Sequence, residues 1–99
     1  MPYDIIWTPT ARRSYVDILK YLNEHWSQTE LIEFEAHVSE VLQLIAQFPM
    51  IYEYSEQSDT HRCVLFSQVS LFYQVKKQTT EVELLLFWDN RQDPENLQI

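Results

Sequence analysis

Hydrophobic and polar residues alternate at the start of the chain and then change to a helical spacing. Tyr3, Ile5 and Trp7 recur at every second position, which predicts a short β-strand with one buried face. Thr8 and Pro9 follow in the order typical of an N-cap and a first helical residue. The apolar residues after them recur at helical intervals, which predicts an amphipathic helix. The members of this stripe are Tyr15, Ile18, Leu19, Leu22 and Trp26.

A second helix is predicted directly after the first. Ser27 and Glu30 have the spacing of a capping box, in which the side chains and backbone N–H groups of the two residues bond reciprocally. An apolar stripe with alternating steps of three and four residues follows and stops before Pro49. Its members are Leu31, Phe34, Val38, Val41, Ile45 and Phe48. Because the connection is so short, the two helices are predicted to be antiparallel neighbours.

The second half of the chain contains three β-like runs, at 61–66, 69–76 and 81–88, after a predicted loop at 49–59. The connections between the runs are short enough for antiparallel hairpins. In the last run we expect Val82, Leu84, Leu86 and Trp88 on one face and Leu85 and Phe87 on the other. Apolar residues on both faces predict an interior strand that is covered on both sides near its end.

The order of these elements is β-α-α-β-β-β. It predicts an α+β fold in which a small antiparallel sheet packs on an N-terminal helical hairpin. A chain of 99 residues has room for one core, so residues 1–99 are predicted to form a single domain.

Composition narrows the classes of function. The longest apolar runs fall well short of the roughly 20 residues that a membrane-spanning helix needs. The N-terminus lacks the basic and apolar regions of a secretory signal, and Cys63 is the only cysteine, so we expect a cytoplasmic protein. The absence of glycine excludes a glycine-rich phosphate loop, and His25, His37 and His61 lack metal-ligand spacing. No metal or cofactor is therefore expected.

The charge is strongly acidic. Fifteen acidic residues against seven basic ones give a net charge of −8, which argues against direct DNA binding by this chain alone. No Lys or Arg lies between Lys20 and Arg62, where eight acidic residues fall. We interpret this stretch as a solvated acidic face, the alternative being a surface that attracts a basic partner. His61 and Cys63 share one face of a predicted strand, where Cys63 is either a buried thiol, which we favour, or one half of a nucleophilic pair.

Three segments taken in order resemble the RelE/ParE family, the toxin components of bacterial type II toxin–antitoxin modules. They are YDIIWTPTA at 3–11, LFYQV at 71–75 and LFWDNRQDP at 86–94. The resemblance implies a role in plasmid stabilisation and neutralisation by a cognate antitoxin. It also implies one of two activities. RelE-like members cleave mRNA in the ribosomal A site, whereas ParE-like members inhibit DNA gyrase.

The same resemblance supplies candidate site residues. Arg62 and Arg91 match basic positions of the family and are candidates for catalysis or partner binding, and Lys76 and Lys77 are further candidates for partner binding. Without such a role, Arg62 would form a surface ion pair with the acidic loop, and Arg91 would bond to neighbouring carboxylates.

Two departures weaken the prediction of a nuclease. Ser70 stands where the family often has Arg, and no Tyr, His or Lys follows Arg91 to act as an acid or base. We therefore predict a ParE-like toxin that acts by protein binding rather than as an enzyme. The alternatives are a ribosome-dependent endoribonuclease that uses Arg62 and Arg91, and a degenerate, non-toxic member that only binds its antitoxin.

Overall fold

The computed structural model describes residues 2–66 and 68–90, so the predictions for Arg91 fall outside the described residues. The described elements are β1 (Asp4–Trp7), α1 (Pro9–His25), α2 (Gln28–Gln47), β2 (Glu53–Ser55), β3 (Thr60–Phe66), β4 (Val69–Lys76) and β5 (Glu81–Asp89). The strands form one five-stranded sheet in the order β1-β5-β4-β3-β2. The predicted α+β fold is confirmed.

Both predicted helix starts are present. The Thr8 hydroxyl accepts a hydrogen bond from the N–H of Ala11 at 3.1 Å and donates one to the Leu84 carbonyl at 2.7 Å, which ties the start of α1 to β5. At α2, the N–H of Glu30 donates to the Ser27 hydroxyl at 3.2 Å and the N–H of Ser27 donates to the Glu30 carboxylate at 3.1 Å. These bonds satisfy backbone donors that the first helical turn leaves without partners.

The sheet differs from the sequence prediction in two respects. It is mixed rather than purely antiparallel, because β1 pairs in parallel with β5, whereas the pairs β2–β3, β3–β4 and β4–β5 are antiparallel. The strand β2 lies inside the segment predicted as a loop. Its three residues are all exposed, so no apolar alternation marks them in the sequence.

The predicted faces of β5 are wrong beyond Leu84. Leu84 and then Leu86 pair with successive residues of β4, which leaves Leu85 as an extra residue in a β-bulge. One extra residue reverses the alternation of side chains along the rest of a strand. Phe87 therefore faces the helices and is buried, whereas Leu86 and Trp88 lie on the opposite side of the sheet. The prediction that β5 is an interior strand is confirmed.

The core lies between the two helices and one face of the sheet. Phe34 of α2 is fully buried, with its ring centroid 6.3 Å from Tyr15 and 6.1 Å from Trp26, so the helical hairpin packs as predicted. Phe48, expected as the last member of the α2 stripe, is 58% exposed because the helix ends one residue earlier. No helix within the described ranges is long and apolar enough to cross a membrane.

Candidate partner-binding site on the outer sheet face

The helices cover one face of the sheet, and we call the opposite side the outer face. The register of β3, β4 and β5 places six side chains next to one another on it: Arg62, Val64, Ser70, Phe72, Leu86 and Trp88. Side chains on neighbouring strands of one face lie about 4.5–5.5 Å apart when they are directly opposite, so these residues are contiguous. Arg62 and Val64 are exposed, Leu86 and Trp88 are half-buried, and Ser70 and Phe72 are buried beside them.

Arg62 is the charged centre of this surface. Its Nε donates to the Ser70 hydroxyl at 3.2 Å and its Nη2 donates to the Asn90 side-chain oxygen at 3.4 Å. The Ser70 hydroxyl donates in turn to the same Asn90 oxygen at 2.9 Å. The Arg62 guanidinium carbon lies 6.0 Å from the ring centroid of Phe72, at the outer limit of a cation–π contact. The guanidinium is thus held across β4 towards the end of β5.

The structure does not pair Arg62 with the acidic loop. Glu53 of β2 lies opposite Arg62 in the sheet register, yet the guanidinium bonds to the neutral side chains of Ser70 and Asn90 instead. Within residues 2–66 and 68–90, the one ion pair joins Lys76 Nζ to Glu83 at 3.5 Å. Arg62 therefore presents a positive charge that no described carboxylate neutralises.

Ser70 has a structural role that the sequence did not reveal. Its side chain is fully buried, and its hydroxyl links Arg62 to Asn90. At the position where the resemblance described above implies an arginine, this chain has a neutral group that orients Arg62. The contribution of Asn90 was missed too, because no local pattern relates it to Arg62, 28 positions earlier in the chain.

The two predicted site lysines, Lys76 and Lys77, are not gathered around Arg62. Lys76 lies on the outer face but four residues along β4 from Phe72, the residue opposite Arg62, which is a distance of about 13 Å. Its ammonium group contacts Glu83. Lys77 lies in the turn between β4 and β5. Arg91 is outside the described residues; among the predicted cations that the structure does describe, only Arg62 belongs to this cluster.

The groups around Arg62 suit binding better than proton transfer. Its described polar partners are a hydroxyl and an amide, and its ring neighbour is a phenylalanine. General acid–base catalysis needs a group that gains and loses a proton near neutral pH, such as His, Lys or a perturbed carboxyl group. None of the described groups that contact Arg62 has this property.

Cys63 and His61 do not form a nucleophilic pair. Cys63 is 1% exposed, and burial raises the pKa of its thiol, although a hydrogen bond with Tyr52 partly opposes this. The Nδ1 of His61 lies 3.0 Å from the backbone oxygen of Tyr52, and the ring contacts of His61 are with Tyr54 and Tyr73. The structure therefore favours the buried thiol.

The family described as the ParE toxin of type II toxin–antitoxin systems, parDE, matches residues 5–94. The chain belongs to this ParE toxin family. No curated protein matches it.

Two solved structures share the ParE-family fold of this chain. The toxin–antitoxin complex RelBE2 from Mycobacterium tuberculosis has 21% sequence identity and a TM-score of 0.59, covering 90% of this chain and 99% of that one. The conserved hypothetical protein HP0894 from Helicobacter pylori has 18% identity and a TM-score of 0.57, covering 91% and 97% respectively. At these identities the similarity concerns the fold.

Proposed function

We propose that this ParE-family toxin acts by binding a protein target, DNA gyrase being the target that the resemblance to ParE-like proteins implies. The observation that carries this proposal is the set of groups around Arg62. Ser70, Asn90 and Phe72 orient its guanidinium, and none of them can gain or lose a proton near neutral pH. Arginine beside aromatic and aliphatic residues is typical of the residues that dominate protein–protein interfaces. On the outer face these neighbours are Phe72, Leu86 and Trp88.

Electrostatics favours a protein target over a ribosomal one. A chain of net charge −8 is repelled at long range by an A site lined with RNA phosphates, unless its cations gather on one face. The cations within residues 2–66 and 68–90 do not gather on one face. Arg62 lies on β3, Lys76 lies on β4 about 13 Å from the residue opposite Arg62 and is paired, and Arg12 and Arg13 lie on α1.

A cognate antitoxin is the second partner that we propose. The RelBE2 structure is that of a toxin–antitoxin complex, and its similarity to this chain supports a comparable partner here. Since this toxin is acidic, we expect the antitoxin to bind chiefly through apolar contacts rather than through charge attraction. Within a module of this type the toxin would serve plasmid stabilisation.

The test is DNA supercoiling by purified gyrase with increasing toxin. We expect wild-type toxin to inhibit supercoiling, and Arg62→Ala to need a roughly tenfold or higher concentration because a central interface arginine is lost. Arg12→Ala removes an equal charge from α1 and is the matched control. The product of the neighbouring reading frame, as antitoxin, should restore supercoiling. Lack of inhibition by wild type would favour the degenerate, non-toxic member.

The competing function is ribosome-dependent mRNA cleavage. The hydrogen bonds that orient Arg62 on the sheet are the observation in its favour, because an oriented guanidinium also stabilises charge on a phosphate during cleavage. This cleavage reaction would also require a general acid and a general base, and both would have to come from residues outside the Arg62 cluster.

A further inference from the structure

A cleft of about 690 Å³ lies at the end of the sheet next to the β4–β5 turn, and none of the described residues that contact Arg62 lines it. It opens between β2, the end of β4 and the turn that follows α2. Met50, Tyr54 and Val75 form its apolar walls, and His61 lines it from β3. The rest of its lining is polar: Asp59, Lys76, Lys77, Gln78 and Thr79. The volume falls within the range of about 300–1,000 Å³ that small-ligand sites occupy.

His61 is the feature that indicates a ligand. The residue is 3% exposed, and its ring lies between Tyr54 at 4.9 Å and Tyr73 at 5.0 Å, stacked on the latter at 9°. Its Nδ1 is 3.0 Å from the backbone oxygen of Tyr52. Because a carbonyl oxygen only accepts hydrogen bonds, Nδ1 must carry the proton, and Nε2 of the neutral ring has a lone pair.

The Nε2 atom of His61 has no hydrogen-bond partner among the described residues. The described residues that interact with this ring are Tyr52, Tyr54 and Tyr73. No fully buried side-chain nitrogen or oxygen in the described ranges lacks a partner. The Nε2 atom is therefore reachable, and the cleft is the space that His61 lines. The neutral form of His61 thus offers a nearly buried acceptor atom that no described side chain occupies.

The surrounding walls define the shape and charge of what would bind. The Tyr54 hydroxyl donates to the Asp59 carboxylate at 2.6 Å, and Gln74 Nε2 donates to the same carboxylate at 3.1 Å. These two bonds fix the position of the Tyr54 ring. The ammonium group of Lys76 is turned to Glu83. Lys77 has no ion pair within the described part of the chain and is the cation available at the rim.

We propose that this cleft binds a planar aromatic group that carries an O–H or N–H donor and a nearby carboxylate. The donor bonds to Nε2 of His61, the ring packs against Tyr54, Met50 and Val75, and the carboxylate approaches Lys77. A free hydroxyaryl acid and a tyrosine in an acidic peptide share this chemistry. The site is separate from the outer face and does not depend on the proposed toxin activity.

The experiment uses three matched probes and the ¹⁵N resonances of the His61 ring at constant pH. We expect 4-hydroxyphenylacetate to shift Nε2, and 4-methoxyphenylacetate, which lacks the donor, to bind roughly 3–10-fold more weakly. The neutral 4-hydroxyphenylethanol should bind roughly 2–5-fold more weakly because it lacks the carboxylate. Lys77→Gln should abolish the preference for the acid, whereas Lys20→Gln, an equal charge change on α1, should retain it.

Acetyl-Asp-Tyr-Asp-amide distinguishes the two sources of the ligand. Tighter binding of this peptide than of 4-hydroxyphenylacetate assigns the site to a protein segment, and the reverse order assigns it to a small molecule. His61→Phe keeps a stacked ring but removes the acceptor, and it should remove the preference for hydroxyl over methoxy. If that variant fails to fold, the probe series on wild type and Lys77→Gln decides. Equal affinities for all three probes, or no shift of the His61 resonances with any probe or peptide, would overturn the proposal.

Discussion

Removal of the Phe34 side chain tests whether the α2 stripe forms the core. Phe34 is fully buried and its ring centroid lies 5.3 Å from Phe66, 6.1 Å from Trp26 and 6.3 Å from Tyr15. It therefore joins both helices to β3. Replacement by Ala loses the burial of the ring and leaves a cavity that the surrounding rings cannot fill without moving, so Phe34→Ala should cost about 3–5 kcal/mol of unfolding free energy.

That cost is large for a domain of this size. Small domains have only about 5–15 kcal/mol of stability, and for about 100 residues each 1 kcal/mol lowers the melting temperature by roughly 4–8 °C. We therefore expect circular-dichroism melts of Phe34→Ala to show a midpoint lowered by at least about 12 °C. Ile32→Ala is the matched control, because Ile32 lies on the same helix and is 65% exposed. An unchanged midpoint in Phe34→Ala would refute the assignment of this stripe to the core.

Three further predictions concern capping, pH and salt. Ser27→Ala should lower the unfolding free energy by about 1 kcal/mol in urea titrations, because the capping box at Glu30 is lost; no change would contradict the role of the cap. Burial, with a smaller contribution from Glu35, raises the pKa of Tyr15 from 10.0 to about 12, so its contribution to stability is complete below about pH 10 and is lost as pH rises towards 12. Melts over that range should show a shallower loss in Tyr15→Phe than in wild type, and an identical loss would contradict it. Antitoxin affinity should change little between about 50 and 500 mM salt, and a large loss at high salt would indicate a charge-driven contact instead.

Local patterns predicted the helices because their determinants lie within a few residues. The capping box at Ser27 and the N-cap at Thr8 each involve contacts three residues apart, so they are visible in the sequence. The faces of β5 were not predictable in this way. Leu85 becomes a bulge only through the register with β4, and the sequence of β5 alone is compatible with regular alternation.

The candidate sites depend still more on distant pairing. The sequence identified Arg62 as a candidate, but the bonds that orient it come from Ser70 on β4 and from Asn90 directly after β5. Likewise, the sequence places His61 in a predicted strand, and its spacing from the other histidines indicates no metal site. Its fixed tautomer arises from the backbone oxygen of Tyr52, nine positions away, which lies just before a strand that no apolar pattern marked.

Primer extension on mRNA translated in the presence of purified toxin tests the central claim most directly, namely that the outer face binds a partner and does not cleave RNA. Because the described groups around Arg62 move no proton and the chain carries a net charge of −8, we predict the same extension products with and without wild-type toxin. Discrete cuts in the ribosomal A site that appear with wild type and vanish in Arg62→Ala would contradict this account and identify a nuclease.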